Sequence, residues 1–123
     1  DTGDYSIKGL EKYVRIERKS LQDLIGCIGR DRDRFEREMV RIRGFQHKAV
    51  LVESTWQDVH AARWRGKITP NQVIGSVVRW QLDGIPFIFA GPRPESCLMM
   101  QKVLYLSARQ FYNMYQAFDV KKP

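Results

Sequence analysis

The sequence has few residues of the kinds that bind zinc or form disulfides: two cysteines and two histidines among 123 residues. Cys27 and Cys97 lie far apart in helix-like, apolar surroundings. Their spacing matches neither a zinc motif nor a disulfide framework, and it favours a reducing compartment. His47 and His60 have no partner motif nearby, so we expect neither histidine to bind a metal.

Long apolar runs are absent as well, and no segment has the length and apolar character needed to span a bilayer. The sequence also shows no signal peptide. We therefore predict an intracellular protein with no membrane partner. It would act in the cytoplasm or nucleoid of a prokaryote or phage, or in the nucleus of a eukaryote.

Acidic residues are too few to balance the basic ones. The 14 Asp and Glu residues stand against 21 Lys and Arg residues, which gives a formal net charge of +7. A small domain of this charge favours polyanionic partners, with nucleic acid ahead of a membrane surface. Charge alone leaves a merely basic surface as an equal alternative.

Short apolar strands alternate with amphipathic helices along the chain. The pattern predicts strands at residues 4–7, 12–18, 49–52 and 85–90, and helices at residues 21–28, 31–43, 70–83 and 94–115, with a short helix near Trp56. In the helix that follows Thr69, the residues expected to face inward are Val73, Ile74, Val77 and Val78. This order indicates one α/β domain over residues 1–118, with a mixed β-sheet flanked by helices, followed by a basic tail at residues 119–123.

The first two strands can be paired so that apolar side chains share one face of a hairpin. Tyr5 then lies opposite Ile16, and the same register places Asp4 opposite Glu17 on the other face. Like charges in this position cost about 0.2–1 kcal/mol. A divalent cation would reverse the sign of this effect, and Mg²⁺ typically uses one or two carboxylates. The register therefore predicts a site for Mg²⁺ or Mn²⁺.

Lys19 follows Glu17 by two residues, so it projects to the same face if the strand continues. An ammonium group beside a metal-bound water can orient that water or neutralise a charged transition state. Arg18 points to the opposite face or outward at the strand end. Asp23 stands in the first turn of a helix capped by Ser20, so we expect structural support from it first and catalysis second.

These residues carry a resemblance to a known family. Gly3–Asp4, followed by Glu17–Arg18–Lys19-x-x-x-Asp23, resembles the nuclease motif of the XPF-type structure-specific endonucleases, in the restriction-endonuclease-like superfamily. The segments RFEREMVRI, AVLVE and QLDGIPFIF follow in the order that this domain shows. The resemblance implies a restriction-endonuclease-like core whose first strand, with a further acidic motif, would precede Asp1 in an N-terminally truncated chain.

The resemblance also implies a function. Asp4, Glu17 and the main-chain carbonyl of Arg18 would hold Mg²⁺ or Mn²⁺, and Lys19 would orient the water that attacks the phosphorus. The substrate would be branched DNA, such as a flap, fork or junction, during repair or recombination. The alternative is a non-catalytic DNA-binding or dimerisation domain of the same fold. The presence of Asp4, Glu17, Lys19 and Asp23 together favours the enzyme.

DNA would need further phosphate contacts, and two basic segments could supply them. Arg34 and Arg37 lie on a basic face of the second predicted helix, although interleaved acids favour an ion-paired, solvated face there. Arg63, Arg65 and Lys67 precede a helix N-terminus in a loop and form a plausible DNA-contact patch. Trp64 within this loop is as well explained as a core anchor. Glu53, at the end of the central strand, is either near a ligand or an ordinary strand-end charge.

The last predicted helix carries more large apolar side chains than one buried face can hold. They are Leu98, Met99, Met100, Val103, Leu104, Tyr105, Leu106, Phe111, Tyr112 and Tyr115. One face must cover the sheet, and the surplus indicates a partner surface. We therefore expect a homodimer or heterodimer that forms through this C-terminal helix.

Overall fold

The computed structural model describes residues 3–118. The elements in chain order are β1 (Gly3–Tyr5), β2 (Val14–Lys19), α1 (Leu21–Ile28), α2 (Arg32–Arg43), β3 (His47–Val52), α3 (Trp56–His60), α4 (Pro70–Leu82), β4 (Phe87–Phe89) and α5 (Arg93–Phe118). The predicted fold class, α/β with a mixed sheet flanked by helices, is confirmed. The predicted basic tail at residues 119–123 lies outside the described residues.

The four strands form one sheet in the order β1-β2-β3-β4. β1 runs antiparallel to β2, while β2, β3 and β4 run parallel to one another. The register places Asp4 opposite Glu17 and Tyr5 opposite Ile16, as the apolar pattern predicted. The period of two residues along a strand fixes this result, because a shift by one residue would move Ile16 out of the core.

Each face of the sheet has its own apolar core. Val50, Val52 and Phe87 pack against α1, α2 and α4 on one face. Ile16, Ala49 and Leu51 pack against Met100 of α5 on the other face. β3 is buried from Ala49 to Val52, as expected for a central strand covered on both sides.

Side-chain caps define where several helices begin. Ser20 accepts a hydrogen bond from the Asp23 N–H at the start of α1. Thr69 and Gln72 form a reciprocal capping box at the start of α4, where Pro70 takes the first helical position. These polar side chains satisfy N–H groups that have no partner within the helix, which is why the predicted starts of these helices are accurate.

Two expectations for the second half of the fold were inaccurate. Val78 was expected to face inward but is 45% exposed, whereas Trp80 is buried. Positions 73, 77 and 80 follow the helical repeat, and Val78 lies about 100° around the helix from Val77. The strand predicted at residues 85–90 covers only Phe87–Phe89, because Ile85 closes the end of α4 by donating its N–H to the Trp80 carbonyl.

Within residues 3–118, no helix combines the length and the apolar character that crossing a membrane requires.

Candidate active site

The hairpin of β1 and β2 brings two predicted acids together, and α2 adds a third. Carboxylate oxygens of Asp4, Glu17 and Glu38 all lie within 4.8 Å of one another. Asp4 is exposed, Glu38 is half-buried, and Glu17 is buried between them. Glu38 is one of the interleaved acids of the second predicted helix, for which the sequence indicated only an ion-paired face. Its place in this cluster depends on how α2 packs against the sheet, which the local pattern of α2 does not show.

Arg15 joins the same cluster and was also missed. Its guanidinium lies 2.8 Å from Asp4 Oδ2 and 3.8 Å from Glu17 Oε1, and it forms a close ion pair with Glu38. Its Nε is buried without a hydrogen-bond partner among the described residues. One organic cation thus faces three carboxylates, at the place where a metal ion would be held. The alternation of β2 could have flagged Arg15, since it shares a face with Glu17.

The protonation of Glu17 reflects this crowding. The pKa of Glu17 is raised from 4.5 to about 8, first by burial and then by a hydrogen bond with Asp4 and the negative charge of Asp4. The positive charges of Lys19 and Arg15 act in the opposite direction. Two carboxylates this close disfavour double ionisation, so the metal-free site retains a proton near neutral pH.

The donor set fits a hard divalent cation. Mg²⁺ and Mn²⁺ prefer carboxylate and carbonyl oxygens, and the cluster consists of carboxylates with no thiol or imidazole among its members. A divalent ion would also offset the repulsion from Asp4, which adds to the effect of burial on the pKa of Glu17. Asp4, Glu17 and Glu38 are therefore the side chains in residues 3–118 best placed to hold such an ion.

Lys19 shares a cavity with Glu17, on the face predicted for it. This cavity of about 190 Å³ lies between β2, α1 and α2, and Glu38, Cys27 and Asp31 also line it. The Lys19 ammonium lies 5.2 Å from the centre of the Phe35 ring, a cation–π contact that holds the side chain over the cavity. The Lys19 ammonium and two members of the carboxylate cluster, Glu17 and Glu38, therefore line one open cavity.

Arg18 points to the opposite face of the sheet, as its position in the strand predicts. Its guanidinium lies over the Tyr5 ring, and its Nε is 3.6 Å from Glu53 Oε2. Arg93 of α5 approaches the same oxygen of Glu53 at 3.5 Å. Of the two interpretations left open for Glu53, the geometry favours a strand-end carboxylate that pairs with cations on the α5 side.

Asp23 is exposed in the first turn of α1, and its N–H donates to Ser20 Oγ at 3.1 Å. It is not among the side chains that line the cavity with Glu17 and Lys19. This placement is consistent with the structural support expected of it first.

The candidate DNA-contact residues fall into two groups. Arg34 of α2 lines the cavity that contains Glu17 and Lys19 and pairs with Asp31 at 3.5 Å, while Arg37 is exposed on the same helix. In the loop after α3, Arg63 pairs with Asp58 at 3.2 Å, and Arg65 and Lys67 line a separate groove. Trp64 is anchored in this loop, because its indole N–H donates to the Ile68 carbonyl at 2.9 Å and its ring packs against the core.

Comparison with known proteins gave one family match. The model of a family described as the ERCC4 domain matches residues 1–103, which is most of the chain and includes the acid cluster, Lys19 and both basic groups. A comparison with curated proteins found no match.

Proposed function

This chain belongs to the ERCC4 domain family, whose members are nuclease-related DNA-processing domains, and from this membership we propose that it is a metal-dependent endonuclease domain that cuts branched DNA during repair or recombination. The observation that supports catalysis most strongly is the cluster of Asp4, Glu17 and Glu38, because two of its members, Glu17 and Glu38, line one open cavity together with Lys19. A domain that only bound DNA would have no need of a buried carboxylate with a second carboxylate opposite it across a hairpin.

Asp4, Glu17 and the main-chain carbonyl of Arg18 would hold Mg²⁺ or Mn²⁺, with Glu38 as a further carboxylate. When bound, the ion would activate water and stabilise negative charge on the phosphate. Glu17 must release its proton for this role, and the approach of the ion favours that release. Asp23 would support the start of α1, and the cap at Ser20 would hold β2 and α1 at a fixed junction.

Lys19 would position the attacking water and neutralise charge that develops on the scissile phosphate. Its ammonium reaches the cavity from the strand that carries Glu17, and the Phe35 ring restrains it there. A fixed positive charge of this kind typically lowers the barrier by several kcal/mol, because it needs no reorganisation during the reaction. Arg34, at the rim of the same cavity, would contact a neighbouring phosphate, and Arg37 the next.

We further propose that the domain dimerises through α5, with a second copy or a related chain. The exposed apolar side chains of this helix include Leu98, Tyr105, Leu106, Tyr112, Tyr115 and Phe118. No residue from 108 to 118 is buried, so the last turns extend beyond the core that α5 covers. Such a surface is typical of an interface between proteins.

A cleavage assay tests the proposed function. The protein at its natural length is incubated with a flap, a splayed fork and a linear duplex, with Mg²⁺, Mn²⁺ or EDTA. We expect cuts near the branch of the flap or fork, which require the metal and disappear in Glu17→Gln. DNA that is bound but never cut with either metal would support the non-catalytic alternative.

A further inference from the structure

A groove lies beside α1, next to the cavity lined by Glu17, Lys19 and Glu38, which is the catalytic cavity of the proposed function. It has a volume of about 520 Å³, and its lining includes Gln22, Gly26, Arg30, Arg65 and Lys67. Gly26 lines the groove close to the catalytic cavity. A Cβ atom at this position would lie 3.8 Å from Oδ2 of Asp31, which lines the catalytic cavity. An extended polymeric ligand that ran from the cavity along α1 would therefore reach the groove.

The loop that forms one wall of the groove has a fixed main chain. Gln22 of α1 accepts a hydrogen bond from the Arg65 N–H at 2.9 Å and donates one to the Arg65 carbonyl at 3.2 Å. Gly66 has a φ of +113°, a conformation that residues with a side chain rarely adopt. The Trp64 indole anchors the other side of the loop on Ile68. Arg65 and Lys67 are thus exposed side chains on a rigid loop.

The groove carries positive charge that the described residues do not neutralise. No acidic side chain lines it, and neither Arg65 nor Lys67 forms an ion pair within residues 3–118. Ile68 and Gln72 form a common wall with a second depression of about 350 Å³, where Arg79 is exposed. Arg79 likewise has no ion-pair partner in this part of the chain. The three cations therefore follow one continuous surface.

We propose that this groove binds the sugar-phosphate backbone of the DNA substrate outside the catalytic cavity, through Arg65, Lys67 and Arg79. This inference rests on the proposed function and specifies how the substrate is held. Phosphates match the charge of the groove, and a rigid loop loses little conformational entropy when it binds. Gln22 is a positioning residue, because it acts on the backbone of the loop and carries no charge itself.

Fluorescence anisotropy with a labelled fork in EDTA measures binding without cleavage. We expect Arg65→Ala/Lys67→Ala to reduce the slope of log affinity against log salt by about 1.8, since each lost phosphate contact accounts for about 0.9. Lys102→Ala is the matched control for Lys67→Ala, because it removes the same positive charge. Lys102 is exposed on α5, on the opposite side of the sheet.

Gln22→Ala separates a positioned groove from a diffuse basic surface. It leaves the net charge unchanged and releases the loop, so we expect affinity to fall several-fold with a smaller salt slope. Gln57→Ala, an exposed neutral change on α3, should have no effect.

The outcomes separate this inference from the proposed function. If Lys67→Ala changes binding no more than Lys102→Ala, or if Gln22→Ala binds like the unmutated protein, the groove does not hold DNA, even where metal-dependent cleavage persists. If the groove variants lose binding selectively while the unmutated protein cuts nothing, the groove stands and the nuclease proposal fails.

Discussion

Lys19 is the residue whose role in chemistry can be separated most cleanly from binding. Lys19→Ala in the protein at its natural length should lower the single-turnover cleavage rate by about two orders of magnitude or more, as for loss of one positioned catalytic group. DNA affinity should change little, because one phosphate contact is a small part of the total. The control is Arg37→Ala, which should weaken affinity and its salt slope but leave the rate on bound DNA intact. Normal cleavage by Lys19→Ala at saturating Mg²⁺ would refute the assigned role.

The raised pKa of Glu17 makes the stability of the metal-free protein depend on pH. The folded state holds this proton more tightly than the unfolded chain does. The contribution of the proton to the free energy of unfolding is therefore complete below pH 4.5 and is lost as pH rises through about 8. Thermal unfolding in EDTA should therefore show a Tm that falls over this range. Glu17→Gln should flatten the profile between pH 5 and 8, whereas Glu95→Gln, an exposed acid, should retain it. A flat profile for the unmutated protein would contradict the shared proton.

Arg15 should compete with the metal, since its guanidinium faces the same three carboxylates. Arg15→Met should tighten Mn²⁺ binding by about tenfold, in the range of a hydrogen bond between charged groups. It should also lower the metal-free Tm, because the acids lose their counter-ion. Arg41→Met removes a cation that pairs with Glu38 from the solvent side and serves as the control. Weaker Mn²⁺ binding by Arg15→Met would show that Arg15 supports the ion instead of opposing it.

Among the elements, the short helix α3 depends on its capping box. Asp58 accepts hydrogen bonds from the Thr55 N–H and the Ser54 hydroxyl, and the first of these is the main cause of its lowered pKa. Asp58→Ala should destabilise the protein by about 1 kcal/mol at pH 7 in urea unfolding. The difference should shrink as pH falls below 3.8, where the carboxylate becomes protonated. Asp33→Ala, an exposed acid without a cap bond, should have a smaller effect.

The hairpin could be predicted from the sequence because its evidence is local. Alternation of apolar residues fixed the register of Asp4 with Glu17, and Ser20 fixed the start of α1. The same alternation places Arg15 on the face of Glu17. Glu38 could not be found in this way, because its meeting with Arg15 and the two acids depends on how α2 packs against the sheet. The basic loop was recognised from composition, but its rigidity depends on Gln22, which lies 43 residues away from Arg65.

At the scale of the whole molecule, α5 should carry the dimer interface. Light scattering should report a dimer, with at least ~1,000 Å² buried in total. Tyr112→Glu/Tyr115→Glu should give a monomer, because two charges would be buried without partners. Leu82→Glu places a charge on an apolar residue at the end of α4, which is 83% exposed, and should remain dimeric. A monomer at high concentration in the unmutated protein would contradict this interface.

Asp4 and Glu17 are proposed to hold the divalent cation on which cleavage depends, and a Mn²⁺ titration followed by electron paramagnetic resonance tests this directly. The unmutated protein at pH 8 should bind Mn²⁺, Glu17→Gln should lose that binding, and Mg²⁺ should displace the Mn²⁺. Glu95→Gln should bind as the unmutated protein does. Equal Mn²⁺ binding by the unmutated protein and Glu17→Gln, or no binding by either, would contradict a metal centre at this hairpin.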